Sequence, residues 1–165
     1  MDNIDNYLRI MVDSLIKKDE CLDRIIDKNK AQYDCIRGKT YEDINWTAFN
    51  VLVAEKETSI DRINEIDEAF DEIYHKIKDE VISNKNKYRE YLVKLKELIT
   101  SLTDKGIAIQ TGEERNRQLI DNIFLKTRKE IKRQRTGINV ASSYYKTMTG
   151  SVIRAAENSI LDEKK

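Results

Sequence analysis

Apolar residues recur every three or four positions through the first part of the chain, with a few polar residues in the same series. This spacing is typical of a heptad seam along one face of an α-helix. Asn3 precedes the series as a candidate N-cap. Gly38 follows it as a candidate stop, because glycine most easily adopts the left-handed conformation after a helix. The pattern therefore predicts a first helix over about residues 4–37. Its seam consists of Ile4, Leu8, Met11, Leu15, Lys18, Leu22, Ile25, Asn29, Gln32 and Ile36.

A second periodic stretch begins after a capping-box signal at Thr40, where the threonine oxygen and nearby acidic residues suit the first turn of a helix. Its seam continues in steps of three or four, with one stutter that predicts a bend or a change of partner around residues 81–87. Gly106, followed by an apolar residue, has the pattern of a C-terminal cap. These signals predict a second helix over about residues 41–105.

The third periodic stretch follows a capping-box signal at Thr111 and extends to Met148, which predicts a helix over about residues 112–148. Residues 149–165 contain too few apolar positions to fold alone and are predicted to form a flexible tail. At ~1.5 Å per residue the predicted helices are about 51, 97 and 55 Å long, so each shorter helix would pair with one half of the middle one. We therefore expect a single all-α domain over residues 1–165, an elongated, antiparallel, coiled-coil-like bundle of three long helices.

The composition narrows the class of protein. The chain has no proline, where average usage would give about eight, and this absence permits long uninterrupted helices. Thirty Lys and Arg residues balance 30 Asp and Glu residues, which argues against a dedicated nucleic-acid-binding protein. Neither a membrane span nor a secretory signal is predicted, so we expect a cytoplasmic protein in which Cys21 and Cys35 are reduced.

No group of residues has the spacing of a catalytic, cofactor or metal site, so the sequence predicts a protein that is not an enzyme. The single histidine, His75, has no further metal ligands converging with it.

Acidic residues crowd the stretch 61–72 and are predicted to form a solvated face. The basic block at 126–135 is predicted to lie against that face, and the alternative is that it binds a phosphate backbone. The apolar cluster around Trp46 and Phe49 is predicted to cap the first hairpin, with a partner site as the alternative.

Two short motifs resemble those of the FlgN-type flagellar export chaperones. One is the Asn-x-x-Leu-Ile run of Asn116, Leu119 and Ile120, and the other is the Tyr-x(4)-Gly ending formed by Tyr145 and Gly150. Members of that family are small cytosolic helical proteins with an amphipathic segment at the carboxy terminus. The resemblance implies that the chain binds hook-associated flagellar subunits and delivers them to components of the type III export gate.

A chaperone of this class needs an apolar helix face that is incompletely buried and accepts a cargo helix. Because pairs of helices leave part of each apolar stripe exposed, the predicted architecture favours either such a partner or a homodimer. The alternative function is therefore a non-enzymatic coiled-coil adaptor or scaffold that homodimerises. The residues predicted to contact a partner are Asn116, Leu119, Ile120, Ile123, Phe124, Ile138, Tyr144, Tyr145, Met148, Ile153 and Ile160.

Overall fold

The computed structural model describes residues 2–127, and in this part of the chain every long element is a helix. Helix α1 covers Asp2–Ile36, α2 covers Trp46–Ser83 and α3 covers Arg89–Lys126, with a short 3-10 helix at Tyr41–Asp43. The prediction of an all-α bundle with three long helices is confirmed. None of these helices combines the length and the apolar character that crossing a membrane requires. The predicted tail and the last part of the predicted third helix lie outside the described residues.

Helix α1 follows its predicted seam. The three polar seam residues, Lys18, Asn29 and Gln32, are buried together with the apolar ones. The helix ends at Ile36, and Gly38 has a φ of 66°, the left-handed conformation that glycine adopts without a steric penalty. The bounds agree with the prediction to within the usual uncertainty of about one or two residues at each end. The first helix and its glycine stop are therefore confirmed, whereas the candidate N-cap Asn3 lies inside the helix, which begins at Asp2.

Helix α2 begins later than the signal at Thr40 predicts. The Thr40 hydroxyl donates to the Asp43 carboxylate at 2.9 Å, and Thr40 directly precedes the short 3-10 helix that Asp43 ends. The N-cap of α2 is Asn45, whose Oδ1 accepts a hydrogen bond from the Ala48 backbone N–H at 3.0 Å. The predicted start at residue 41 is therefore wrong. Packing decides between two good capping residues, because Tyr41 turns into the core and holds the segment before Asn45 outside the helix.

The chain reverses at residues 84–88. Asn84 ends α2, since its backbone N–H and its side-chain amide both donate to the Glu80 carbonyl oxygen, at 3.1 and 3.3 Å. On the other side of the turn, Tyr88 is buried and its hydroxyl donates to the Glu80 carboxylate at 3.5 Å. The stutter predicted a bend or a change of partner around residues 81–87, and the turn between α2 and α3 lies there. The predicted single helix over residues 41–105 is wrong, because α2 ends at Ser83 and the chain reverses before α3 begins at Arg89.

Helix α3 continues without a break through Gly106 and Thr111, so the predicted stop and the predicted start at these residues are wrong. Gly106 is buried on the seam of α3, in step with Leu102 and Ile109. Ile107, expected to pack as the residue after a cap, is 57% exposed. Glycine inside a helix costs about 1 kcal/mol relative to alanine, and the packing of a continuous seam outweighs that cost.

The three helices run up, down and up, and α1 packs against both of the others. They contain 35, 38 and 38 residues. At ~1.5 Å per residue each is about 52–57 Å long, so they overlap over nearly their whole length. The expected arrangement, with a long middle helix shared by two shorter ones, is therefore wrong. The main core extends from Leu8 and Val81 near the α2–α3 turn to Ile25 and Ile109 further along.

A separate apolar cluster closes the other end of the bundle. The Trp46 ring centroid lies 5.4 Å from that of Tyr41 and 5.5 Å from that of Phe49. Tyr41 is in turn 5.6 Å from Phe124 of α3, and Ile36 of α1 is buried in the same cluster. The cluster around Trp46 and Phe49 packs on Ile36 at the first hairpin, as predicted, whereas Val51 of the same stretch is 51% exposed. The cluster also binds the end of α3, because Phe124 completes it.

Candidate functional site

An open apolar groove of about 370 Å³ lies beside the α2–α3 turn. Its walls come from α2 between Phe70 and Ile82 and from α3 between Arg89 and Ile99. Leu8 and Met11 of α1, which are 1% and 2% exposed, line it from below. A volume of this size falls in the range of about 300–1,000 Å³ that is typical of ligand-binding pockets.

The groove follows from the way the helices pair. α1 packs along both α2 and α3, whereas the backbones of α2 and α3 come close to each other at almost no point in the described residues. The two outer helices therefore share α1 as a floor and leave a space between them. Ile82 and Val93, one on each wall, are 42% and 48% exposed. The apolar faces of α2 and α3 are thus not closed by the described part of the chain.

Basic side chains surround the groove. Lys78 lies on the α2 wall, Lys85 in the turn, and Arg89 and Lys96 on the α3 wall, and no acidic residue is among the described residues that line it. Within residues 2–127, Lys78, Lys85 and Arg89 make no ion pair and no side-chain hydrogen bond. The rim therefore carries a local excess of positive charge.

The lining of the groove is suited to binding a molecule with an apolar face. Its described residues offer aliphatic, aromatic, amide and basic groups. Within residues 2–127 there is no group of three or more metal-ligating side chains. Hydrophobic burial would supply most of the affinity for a bound molecule, and the charged rim would supply selectivity.

A second feature is a polar layer across the bundle, with members from all three helices. Lys56 of α2 donates from Nζ to Oε1 of Glu113 in α3 at 2.8 Å and to Oδ1 of Asn29 in α1 at 3.0 Å. Asn116 donates from Nδ2 to the backbone oxygen of Asn29 at 3.0 Å. The side chains of Lys56 and Glu113 are 0% and 4% exposed. Gly112 makes room for the layer, because a Cβ there would lie 3.3 Å from Nδ2 of Asn29.

Burial brings the pKa values of Lys56 and Glu113 close together. It lowers the pKa of Lys56 to about 8, although Glu113 opposes the shift by stabilising the ammonium group. It raises the pKa of Glu113 to about 7, although Lys56 and, to a smaller extent, Asn29 act in the opposite direction. In both residues the loss of hydration outweighs the attraction between the charges, as is common for buried ion pairs.

The layer selects one alignment of the helices rather than adding much stability. Sliding α2 or α3 by a turn would leave the charges of Lys56 and Glu113 buried without partners, which is far more costly than keeping them paired. Even in the observed alignment, Oδ1 of Asn116 and both side-chain polar atoms of Gln32 are buried without a hydrogen-bond partner. Since a solute cannot reach residues this deeply buried, we interpret the layer as structural.

Lys18 and Asp67 form a similar contact nearer the groove. Nζ of Lys18 lies 2.7 Å from Oδ1 of Asp67, and the two side chains are 0% and 27% exposed. Burial lowers the pKa of Lys18 and raises the pKa of Asp67, each against the attraction of its partner. This pair fixes the alignment of α1 against α2. The hydrogen bond from Asn116 to Asn29 fixes the alignment of α3 against α1 in the same way.

The described members of the predicted partner-contact set lie in the core and not at the groove. Asn116 belongs to the polar layer, while Ile120, Ile123 and Phe124 are 3%, 8% and 8% exposed in the apolar cluster and Leu119 is half-buried against it. They are buried because α3 runs beside α1 along its whole length. In this structure they stabilise the bundle, and a contact with a partner stays a prediction. The remaining members, Ile138, Tyr144, Tyr145, Met148, Ile153 and Ile160, lie outside the described residues.

The other candidates from the sequence are surface groups. In the acidic stretch 61–72 the acidic residues are exposed apart from Asp67, and His75 is exposed as well. The predicted contact between this stretch and the basic block assumed a reversal at Gly106, where α3 is continuous, so that reason no longer holds. Residues 128–135 of the block lie outside the described part.

The groove and its basic rim were not predicted from the sequence. A signal was present, because seven basic residues and three acidic ones lie between residues 76 and 96, with the excess in the turn and at the start of α3. It is visible only once the reversal is placed at residues 84–88, which brings the two flanking segments to the same end of the bundle. The basic residues there are Lys76, Lys78, Lys85, Lys87, Arg89, Lys94 and Lys96, and the acidic ones are Asp79, Glu80 and Glu90.

Comparisons with protein-family models, with curated proteins and with solved structures give no match for this chain. The resemblance to FlgN-type chaperones therefore rests on the sequence motifs alone, and one of them, the ending at residues 145–150, lies outside the described part of the chain.

Proposed function

We propose that this chain is a cytoplasmic export chaperone of the FlgN type. It binds hook-associated flagellar subunits through a carboxy-terminal amphipathic segment and delivers them to the type III flagellar export apparatus. The observation that carries the proposal is the open groove, because it is an apolar surface that the described helices leave uncovered. A holding chaperone works by lending such a surface to a helical part of its cargo.

Two further features support the proposal. The lining of the groove has the composition of a protein-binding surface, in which aliphatic and aromatic groups and arginine are common. The motif residues Asn116, Leu119 and Ile120 occupy one face of α3, whose last described residues lead directly into the predicted cargo-binding segment. The groove and that segment together would give the chaperone two separate binding surfaces.

Co-purification tests the proposal. The full-length chain, co-expressed with the carboxy-terminal helical part of a hook-associated protein, should form a monodisperse complex at micromolar concentration. Replacing Tyr145→Ala and Met148→Ala together should weaken this complex and leave the circular dichroism of the helices almost unchanged. Ile107→Gln is the matched control, because this side chain is 57% exposed and does not line the groove.

Two results would contradict the proposal. The first is the absence of a complex with any hook-associated protein at these concentrations. The second is a tight homodimer in light scattering together with no cargo binding, which would instead support a coiled-coil adaptor or scaffold.

A further inference from the structure

We propose that the groove binds an acidic amphipathic helix of a partner protein, as a fourth helix laid between α2 and α3. The inference deepens the proposed function, and it rests on that function only in taking the partner to be a protein. It depends on three properties of the groove, which are its shape, its exposed apolar walls and its basic rim.

The shape of the groove fits a helix. The backbones of α2 and α3 stay apart, and although side chains such as Lys56 and Glu113 join them further along, the groove leaves room for a short fourth helix beside the turn, as in a four-helix bundle. The α2 wall extends from Phe70 to Ile82. At ~1.5 Å per residue this wall is about 18 Å long, which corresponds to roughly three turns of a bound helix. Such a helix presents apolar residues at i, i+3 or i+4, and i+7, and these would meet the exposed wall residues Ile82 and Val93.

The apolar walls lie inside a recess. Ile82 and Val93 are 42% and 48% exposed, yet they line the space between the two helices. A membrane-binding surface instead presents its apolar side chains on a protruding face that enters the lipid. The recess therefore favours an occupant that brings its own narrow apolar stripe, as a helix does.

The charge of the rim defines the polar face of the occupant. Lys78, Lys85 and Arg89 have no acidic partner within residues 2–127, and they are distributed over the α2 wall, the turn and the α3 wall. Aspartate or glutamate residues on both sides of the apolar stripe of the bound helix would pair with them. Such pairs at the rim of an interface mainly increase the rate of association and exclude basic partners. The groove should therefore discriminate between helices of equal hydrophobicity by their charge.

Two designed peptides test the inference with the full-length protein. The first is a fluorescent helical peptide with leucines at i, i+3, i+4 and i+7 and glutamates on both flanks, and the second has lysines in place of the glutamates. Fluorescence anisotropy should show binding of the glutamate peptide that is at least about tenfold tighter than binding of the lysine peptide. This preference should decrease as the salt concentration rises.

Charge-reversed variants locate the binding site. Lys78→Glu, Lys85→Glu and Arg89→Glu together should reverse the preference, so that the lysine peptide binds more tightly than the glutamate peptide. The matched control reverses three exposed lysines away from the groove, and it should keep the wild-type preference. These control substitutions are Lys17→Glu, Lys30→Glu and Lys39→Glu.

A second pair of variants tests the apolar walls. Ile82→Gln with Val93→Gln should weaken binding of the glutamate peptide, while Ile107→Gln with Leu125→Gln should leave it unchanged. All four side chains are at least 42% exposed, so these changes are not expected to unfold the bundle.

The inference is overturned if the wild-type protein binds the two peptides equally, or if the charge-reversed variant keeps the wild-type preference. It is also overturned if the protein prefers neither peptide but binds vesicles of anionic phospholipid or single-stranded nucleic acid through the same basic residues. The proposed function fails separately, because it requires a complex with a hook-associated subunit. A protein that binds the glutamate peptide but no such subunit would retain the inference and lose the proposed function.

Discussion

Replacing Lys56→Met should destabilise the bundle by removing the cation at the centre of the polar layer. In the wild-type protein Nζ of Lys56 lies 2.8 Å from Glu113 and 3.0 Å from Asn29, with all three side chains buried. Methionine fills most of the same volume, so the change leaves the Glu113 carboxyl and the Asn29 amide oxygen without their donor. Breaking a buried ion pair in this way typically costs about 3–5 kcal/mol.

At pH 7 the expected loss in the free energy of unfolding is about 3 kcal/mol, in the lower part of that range. The reason is that the pKa of Glu113 is already raised to about 7 by burial. Without Lys56 the carboxyl binds a proton, and the remaining cost is that of polar groups without hydrogen bonds. Because about 1 kcal/mol shifts the melting temperature by roughly 2–4 °C in a chain of this length, the variant should melt about 6–12 °C lower.

The double variant Lys56→Met with Glu113→Leu should recover most of the loss. It removes both charges together, and replacing a buried ion pair by apolar residues is often neutral or stabilising. Urea unfolding of the wild type, the two single variants and the double variant at pH 7 forms a double-mutant cycle. A double variant that loses the sum of the two single losses, or a Lys56→Met variant that loses less than about 1 kcal/mol, would refute the reasoning.

The same double variant isolates the pH dependence of the pair. The pKa of Glu113 rises from 4.5 to about 7 on folding, so its contribution to stability is present below pH 4.5 and is lost as the pH rises through 7. The pKa of Lys56 falls from 10.5 to about 8, so its contribution is present above pH 10.5 and is lost as the pH falls through 8. The free energy of unfolding of the wild type minus that of the double variant should therefore be lowest between pH 7 and 8, and about 2 kcal/mol higher at pH 5. A flat difference between pH 5 and 7 would contradict the assigned burial.

The remaining predictions concern the helix start, the core and the glycine of the polar layer. Asn45→Ala should reduce the free energy of unfolding by about 1 kcal/mol, while Thr40→Ala should change it by less than about half of that, because only Asn45 caps α2. Ile120→Ala should cost about 2–5 kcal/mol in urea unfolding, as for a core residue, and a much smaller loss would place it at an open surface. Gly112→Ala should stabilise α3 by about 0.5–1 kcal/mol only when Asn29→Ala is also present, since in the wild type the new Cβ presses on the Asn29 amide. Equal effects in both backgrounds would show that the glycine does not make room for Asn29.

The periodicity of the first helix was readable because every part of its signal is local. Its seam, including Lys18, and its glycine stop depend on residues a few positions apart. The partners of the polar seam residues, by contrast, cannot be predicted from the residues near them in the sequence. That Lys18 meets Asp67, 49 positions away, is a property of how α1 and α2 align in space.

The predicted bounds of the second and third helices were wrong because they relied on capping signals that fit the local sequence but are not used in the fold. Thr40 and Asn45 are both good N-caps, and burial of Tyr41 decides between them. Gly106 and Thr111 have the pattern of a stop and a start, but the seam of α3 continues through Gly106 in steps of three and four. A cap contributes about 1 kcal/mol, which is less than the packing of a continuous apolar face.

The groove could not be read from the sequence because it depends on where the chain reverses. Lys78 and Arg89 line one groove only because the turn at residues 84–88 brings the end of α2 beside the start of α3. The same reversal carries Ile120 and Phe124 to the opposite end of the bundle, where they become core residues.

Local signals were enough to predict an all-α protein and a first helix that ends before Gly38, and they marked residues 81–87 as a bend or a change of partner inside a helix expected to continue to residue 105. These properties follow from local spacing and from backbone preferences. Helix packing selects which capping signals are used, which polar side chains are paired in the core, and which apolar surface stays open. Those outcomes depend on burial, which is a property of how whole helices pack together rather than of any short segment.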